Sequence, residues 1–133
     1  MKIHHVGIAS KELKIALDNL MLEQTEIVEE VYDGVQGNIL YFLPQTRQNP
    51  IIELVVPFRD NSTVSNFTRK YTTGLHHIGI GTISLRLSLE KHKLLRGHFL
   101  LKQYEINVKS FGGKVSTAFV YANGMLIEYI ENV

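Results

Sequence analysis

Two short stretches carry the chemistry of this chain. His4-His5 stands in "IHHVGIAS" (residues 3–10) and His76-His77 in "LHHIGIGT" (residues 75–82). Each is followed, roughly fifty residues later, by a glutamate set among apolar residues: Glu53 in "IIELVV" and Glu128 in "LIEYIE". His5 and Glu53 are 48 positions apart, and His77 and Glu128 are 51. A lone strand histidine or glutamate is usually structural. Four of them recurring in order across two half-chains point to a duplicated unit whose polar residues converge.

Strand phase selects among the histidines. Alternate residues of a strand face opposite sides. Ile3, His5, Gly7 and Ala9 share one side, and His4, Val6 and Ile8 the other. Leu75, His77, Gly79 and Gly81 likewise share a side, opposite His76, Ile78 and Ile80. The Val/Ile side suits packing under a helix, and the other carries one imidazole followed by small residues. His5 and His77 are therefore the candidates, and Gly79 and Gly81 read as cleared space. Glu53 and Glu128, flanked by apolar neighbours, need a buried partner. Two carboxylates ~4 Å apart at an effective dielectric of ~20 repel by ~4 kcal/mol. A proton or a cation must relieve that. Two imidazoles with two carboxylates suit one divalent ion of the Zn, Ni, Co, Mn or Fe type, and ligand type does not choose among them.

The elements that position these residues read as strand, helix and three strands, written twice. The first half has a strand over 2–9, a helix over 11–21 capped by Ser10, and strands in "TEIVEEVYD", "ILYFLP" and "IIELVVP". The second has a strand at 75–82, a helix in "SLRLSLEKHKLLRG" capped by Ser84 and ended by Gly97, and strands in "HFLLKQY", "VSTAFVYA" and "MLIEYIE". Asn123-Gly124 marks a tight hairpin between the last two. A connector, "RDNSTVSNFTRKYTTG", holds a short helix with Val64, Phe67 and Tyr71 on one side, capped by Asn61 or Ser62. The expected fold is α+β: two paired βαβββ modules forming a curved, half-open, barrel-like mixed sheet with helices outside. The modules are 1–57 and 74–133, joined by the connector 58–73, in a single domain 1–133. A half of about 60 residues is marginal alone, and sharing one sheet removes that difficulty.

Composition narrows the function classes. The 133 residues carry a net charge of +1, with no basic run, so nothing favours nucleic acid or an acidic membrane surface. There are no cysteines, which excludes disulfides, thiolate metal sites and cysteine nucleophiles together. No apolar run approaches the ~18 residues of a membrane span, and the chain opens directly on a strand. The expectation is a cytoplasmic protein with a small-molecule partner. His92 and His98 have no repeat counterparts and read as solvated or packing residues. "SFGGK" lacks the other parts of a phosphate loop and reads as a flexible loop able to close over a site.

The motifs "HHVGIAS", "IIELVVP", "NSTVSNF", "GLHHIGI" and "MLIEYIE" resemble, in order and across nearly the whole chain, the vicinal oxygen chelate superfamily. That superfamily contains glyoxalase I, methylmalonyl-CoA epimerase, extradiol dioxygenases and bleomycin-resistance proteins, and the chain looks most like the single-domain epimerase group. The resemblance implies metal ligands at His5, Glu53, His77 and Glu128. It implies a metal-dependent isomerase or lyase that moves a proton next to a carbonyl or thioester through a metal-stabilised enolate, with Glu128 or Glu53 as base. It also implies a homodimer. Two departures weigh against methylmalonyl-CoA itself: "VYANGMLIEY" is a short hairpin where epimerases have a longer segment, and "NILYF" lacks a second carboxylate found in some of them. A glyoxalase would need cations for glutathione carboxylates, and Arg47, Arg59, Arg69 and Lys114 are available. The alternatives are a resistance-type binding protein, which generally lacks the metal ligands, and an Fe(II) extradiol dioxygenase, which is usually longer.

Overall fold

A computed structural model describes residues 1–133. The elements follow the expected order: β1 (Ile3–Ser10), α1 (Leu13–Asn19), β2 (Glu29–Asp33), β3 (Asn38–Phe42), β4 (Ile51–Pro57), α2 (Ser65–Tyr71), β5 (Thr73–Gly81), α3 (Leu85–Lys93), β6 (His98–Val108), β7 (Gly113–Ala122) and β8 (Met125–Asn132). The class is α+β, with eight strands in one mixed sheet of order β2-β3-β4-β1-β5-β8-β7-β6 and three α-helices. No helix is long and apolar enough to cross a membrane.

The chain divides into two compact units, Val6–His76 and Met1–His5 with His77–Val133. In the unit Val6–His76, β3 pairs antiparallel with β2 and with β4. Ala16 and Leu17 of α1 bury against Leu54, with Ile8, Tyr41 and Ile52 packed around them. The β-branched and aromatic residues of these strands suit a half-buried pleated surface. Because Ile52 and Leu54 lie under α1, alternation puts Glu53 on the other side of β4. Glu53 is buried there, opposite Phe42 in register.

The other unit repeats this construction. Here β8 lies between β5, which it meets in parallel, and β7, which it meets antiparallel. Leu85 and Leu89 of α3 bury against Ala118, Val120 and Ala122 of β7, with Ile127 and Tyr129 of β8 packed alongside. Glu128, between those two, faces away from α3 by the same alternation. The Asn123-Gly124 turn joins β7 to β8 with both residues at positive φ (48° and 97°), the conformation a tight two-residue hairpin demands.

Local boundaries differ in informative ways. Ser10 does not cap α1. Its hydroxyl donates to the Glu12 carbonyl at 2.7 Å, and Glu12 occupies the cap position without a side-chain bond. The strand expected from Thr25 begins only at Glu29, because Gln24–Glu26 forms a 3₁₀ turn closed by a Glu23/Glu26 capping box. In the connector, α2 begins at Ser65 with Val64 at its cap position, while Ser62 Oγ accepts from the Val64 amide at 3.2 Å. Ser84 does cap α3, accepting from the Leu87 amide at 3.2 Å. That helix ends at Lys93 rather than running to Gly97.

Candidate metal centre

His5, His77 and Glu128 meet in the unit formed by Met1–His5 and His77–Val133. His5 Nε2 lies 3.0 Å from His77 Nε2 and 2.8 Å from Glu128 Oε2. His77 Nε2 lies 3.1 Å from the same carboxylate oxygen. All three side chains are buried. Strand pairing explains the meeting, since Gly79, two residues beyond His77, sits opposite Glu128 in the β5–β8 register.

The surroundings fix each group. The second Glu128 oxygen, Oε1, accepts from the buried Thr117 hydroxyl at 2.5 Å. Burial disfavours the Glu128 charge. The neighbouring His5, and hydrogen bonds from His5 and His77, outweigh that and hold its carboxyl well below the usual range. The His5 ring stacks on Phe111 with centroids 5.0 Å apart, and His77 meets Phe119 edge-on at 5.4 Å. On its far side His5 Nδ1 lies 2.9 Å from His4 Nδ1. Only one of those two nitrogens can carry the shared proton, so the tautomers of His4 and His5 are tied together. Burial and the adjacent His5 lower the His4 pKa to about 4.

Two expectations change here. Gly79 does not leave room for a ligand. A Cβ at Gly79 would lie 2.1 Å from His5 Cε1 and Nδ1, so the His5 ring itself fills that space. Gly81 is more open, its nearest neighbour being His4 Cδ2 at 4.0 Å. The "SFGGK" segment is not a loose loop either. Lys109–Phe111 is a 3₁₀ turn, and buried Phe111 forms a wall against His5. Phe111 lies in the segment expected to close over a site, whereas Thr117 has no motif of its own; its place on the Glu128 side of β7 follows from strand phase. His4, set aside on phase, still reaches His5 around the strand. His76 packs edge-on against Phe67 of α2, as its phase implied. His92 and His98 are half-buried, and they hydrogen-bond as well as pack. Their Nδ1 atoms are 2.7 Å apart, and His92 Nε2 lies 2.6 Å from the Tyr129 hydroxyl.

The donor set fits a divalent ion. Three atoms each about 2.1 Å from a common centre at right angles would be about 3.0 Å apart. The three observed separations bracket that value. One ligand atom from each of the three residues lies within 4.8 Å of the other two. Without a cation, three polar atoms share their edges with too few protons, since neutral imidazoles bring one N–H each.

This fold, a mixed sheet of eight strands with three α-helices, is shared with several solved structures. Its solved neighbours include methylmalonyl-CoA epimerases, and the chain takes the epimerase-like form of the fold. The epimerase from Mycobacterium tuberculosis is similar at TM-score 0.76 and 22% identity, over 98% of this chain and 87% of that one. A Streptomyces coelicolor epimerase in complex with 2-nitronate-propionyl-CoA is similar at TM-score 0.77 and 21% identity, over 100% and 98%. A hypothetical protein from Bacillus halodurans is similar at TM-score 0.75 and 26% identity, over 99% and 94%. No known family profile and no curated protein matches the sequence.

Proposed function

We propose that the protein is a metal-dependent enzyme of the isomerase class that moves a proton next to the carbonyl of an acyl thioester. The observation that carries this reading is the triangle of His5 Nε2, His77 Nε2 and Glu128 Oε2, whose edges of 2.8 to 3.1 Å suit one divalent ion. The likeness to epimerases in complex with acyl-CoA analogues supports the thioester class. His5, His77 and Glu128 would hold the ion. Glu53 would complete the set, because it occupies in β4 the place that Glu128 occupies in β8. When bound, such an ion supplies Lewis-acid stabilisation of negative charge on a carbonyl oxygen.

The two glutamates then take different roles. Glu128 is a poor base: one oxygen accepts from Thr117, the other faces both imidazoles, and its carboxyl is held anionic. Proton acceptance and return fall to Glu53, whose burial keeps water from competing for the proton. Phe111 and Phe119 wall the imidazoles against water. A homodimer formed through the exposed β6 edge goes with this reading, since Phe99, Leu100 and Leu101 are each at least half exposed there.

The test is deuterium wash-in from heavy water into a panel of 2-substituted acyl-CoA thioesters and hemithioacetals, with the metal-loaded protein. Exchange at the carbon next to the thioester carbonyl, lost in Glu53→Gln, is the expected result. Exchange into hemithioacetals alone would move the protein to the lyase class. Saturable binding without any exchange would make it a binding protein.

A further inference from the structure

A second site lies within the unit Val6–His76. A pocket of about 270 Å³ is lined by Lys11, Arg59, Asp60, Ser65, Thr68 and Arg69, beside Pro57 and Phe58. Its floor is polar and built. Ser65 and Thr68 are both buried, at 6% and 3% exposure. The Ser65 hydroxyl bridges the Arg59 carbonyl and Ser62 Oγ, at 3.1 and 3.0 Å. Thr68 Oγ1 donates to the Ser65 carbonyl at 3.2 Å.

Three cations from three separate segments reach this pocket: Lys11 after β1, Arg59 after β4 and Arg69 in α2. None of them has an ion-pair partner, although Lys14, Arg86 and Lys114 elsewhere do. Both arginines are held in place. Arg69 donates to Asn66 Oδ1 and to the Asp60 carbonyl, each at 2.9 Å. The Arg59 guanidinium lies over the Phe58 ring at 5.5 Å and against Gly37. Gly37 has φ of 78°, and a Cβ there would lie 2.4 Å from Arg59 Nε, so the turn accepts the arginine only because it carries glycine. All three residues are exposed, so water screens their mutual repulsion, and an anion entering the pocket would meet three cations from three segments.

We infer that this pocket binds a phosphate-bearing small molecule through Lys11, Arg59 and Arg69. With Asp60 as the one carboxylate of the lining, the site carries a net charge of two positive units, which complements a phosphomonoester of roughly −1.5 to −2 at neutral pH. Arginine's planar fork suits phosphate oxygens in pairs, and lysine adds a point charge. The phosphate can belong to a nucleotide-bearing substrate or to a free phosphorylated effector.

Isothermal titration calorimetry of the metal-free full chain with inorganic phosphate, pyrophosphate and coenzyme A tests this. Saturable binding of pyrophosphate or coenzyme A is expected, weakened about tenfold by Arg59→Gln and by Lys11→Gln, because each removes a charge-assisted contact. Asp60→Asn should strengthen it. Lys114→Gln, which breaks only the pair with Glu105, should leave it unchanged. Much tighter binding of coenzyme A than of pyrophosphate assigns the phosphate to a nucleotide-bearing ligand, and equal binding assigns it to a free effector. Absence of saturable binding by all three, or equal weakening by Lys114→Gln and Arg59→Gln, overturns the inference. The titration needs neither metal nor turnover, so its failure leaves the reading of the metal centre intact.

Discussion

Replacing Gly79 by alanine adds one methyl group where the structure has no room for it. The new Cβ would lie 2.1 Å from His5 Cε1 and Nδ1 and 2.7 Å from Cγ. The His5 ring would have to retreat by more than 1 Å to restore ordinary contact at about 3.5 Å. Phe111 is stacked against the ring, and His5 is wholly buried, so the retreat meets packed side chains. Overpacking of this kind costs about 1–3 kcal/mol. Displacing Nε2 from Glu128 Oε2 sacrifices a charge-assisted hydrogen bond at about 1.5–3 kcal/mol. The expected destabilisation is about 2.5–6 kcal/mol, a fall in Tm of about 10–25 °C for a chain of this size. Metal affinity should fall with it. Gly81→Ala is the matched control, the same change two residues along the same strand with its nearest atom at 4.0 Å. It should be neutral or stabilise by up to about 1 kcal/mol. Thermal denaturation of both variants, with and without metal, measures the difference. A Gly79→Ala protein that melts like the wild type and binds metal as tightly would refute the placement of His5 against β5.

Three further outcomes follow from the same geometry. His4→Ala removes the group that orients His5 through Nδ1, and calorimetry should show metal affinity weakened about 10- to 100-fold with one ion still bound. Thr117→Val leaves the buried Glu128 Oε1 without its donor, and urea denaturation should show a loss of about 1–3 kcal/mol. The metal-free protein should lose stability on acidification. His4 has its pKa lowered from 6.5 to about 4, so between those values the unfolded chain takes up a proton that the folded chain does not, and stability falls across that window. Glu128, also lowered, contributes stability above its ordinary value of 4.5 that is lost below it. Urea midpoints between pH 7.5 and 4 should therefore decline steadily, and His4→Gln should flatten the upper part of that decline.

Much of the fold was legible because its signals are local. Alternating β-branched runs, the Ser84 cap and the Asn123-Gly124 turn each act within a few residues. The same periodicity separated His5 from His4 and His77 from His76, and put Glu128 on the side of β8 away from α3. What escaped was contact at longer range. Nothing in "HHIGIG" says that the space above Gly79 belongs to the ring of His5, because that depends on how β1 lies against β5. Nothing in "KSFGG" says that Phe111 packs on an imidazole rather than swinging free. The His92–His98–Tyr129 chain joins α3, the start of β6 and β8, which no sequence spacing connects. The Ser10 cap failed for a local reason: its hydroxyl turned to the Glu12 carbonyl instead of a helix amide.

The central claim is that His5 and His77 hold one divalent ion together with Glu128. X-ray absorption spectroscopy on protein loaded with Zn or Co, combined with elemental analysis, addresses it directly. The account predicts one ion per chain, with two imidazole ligands in the spectrum and one fewer in His77→Ala. A protein that takes up no stoichiometric ion under any divalent supplementation, or binds one without imidazole scattering, would contradict it.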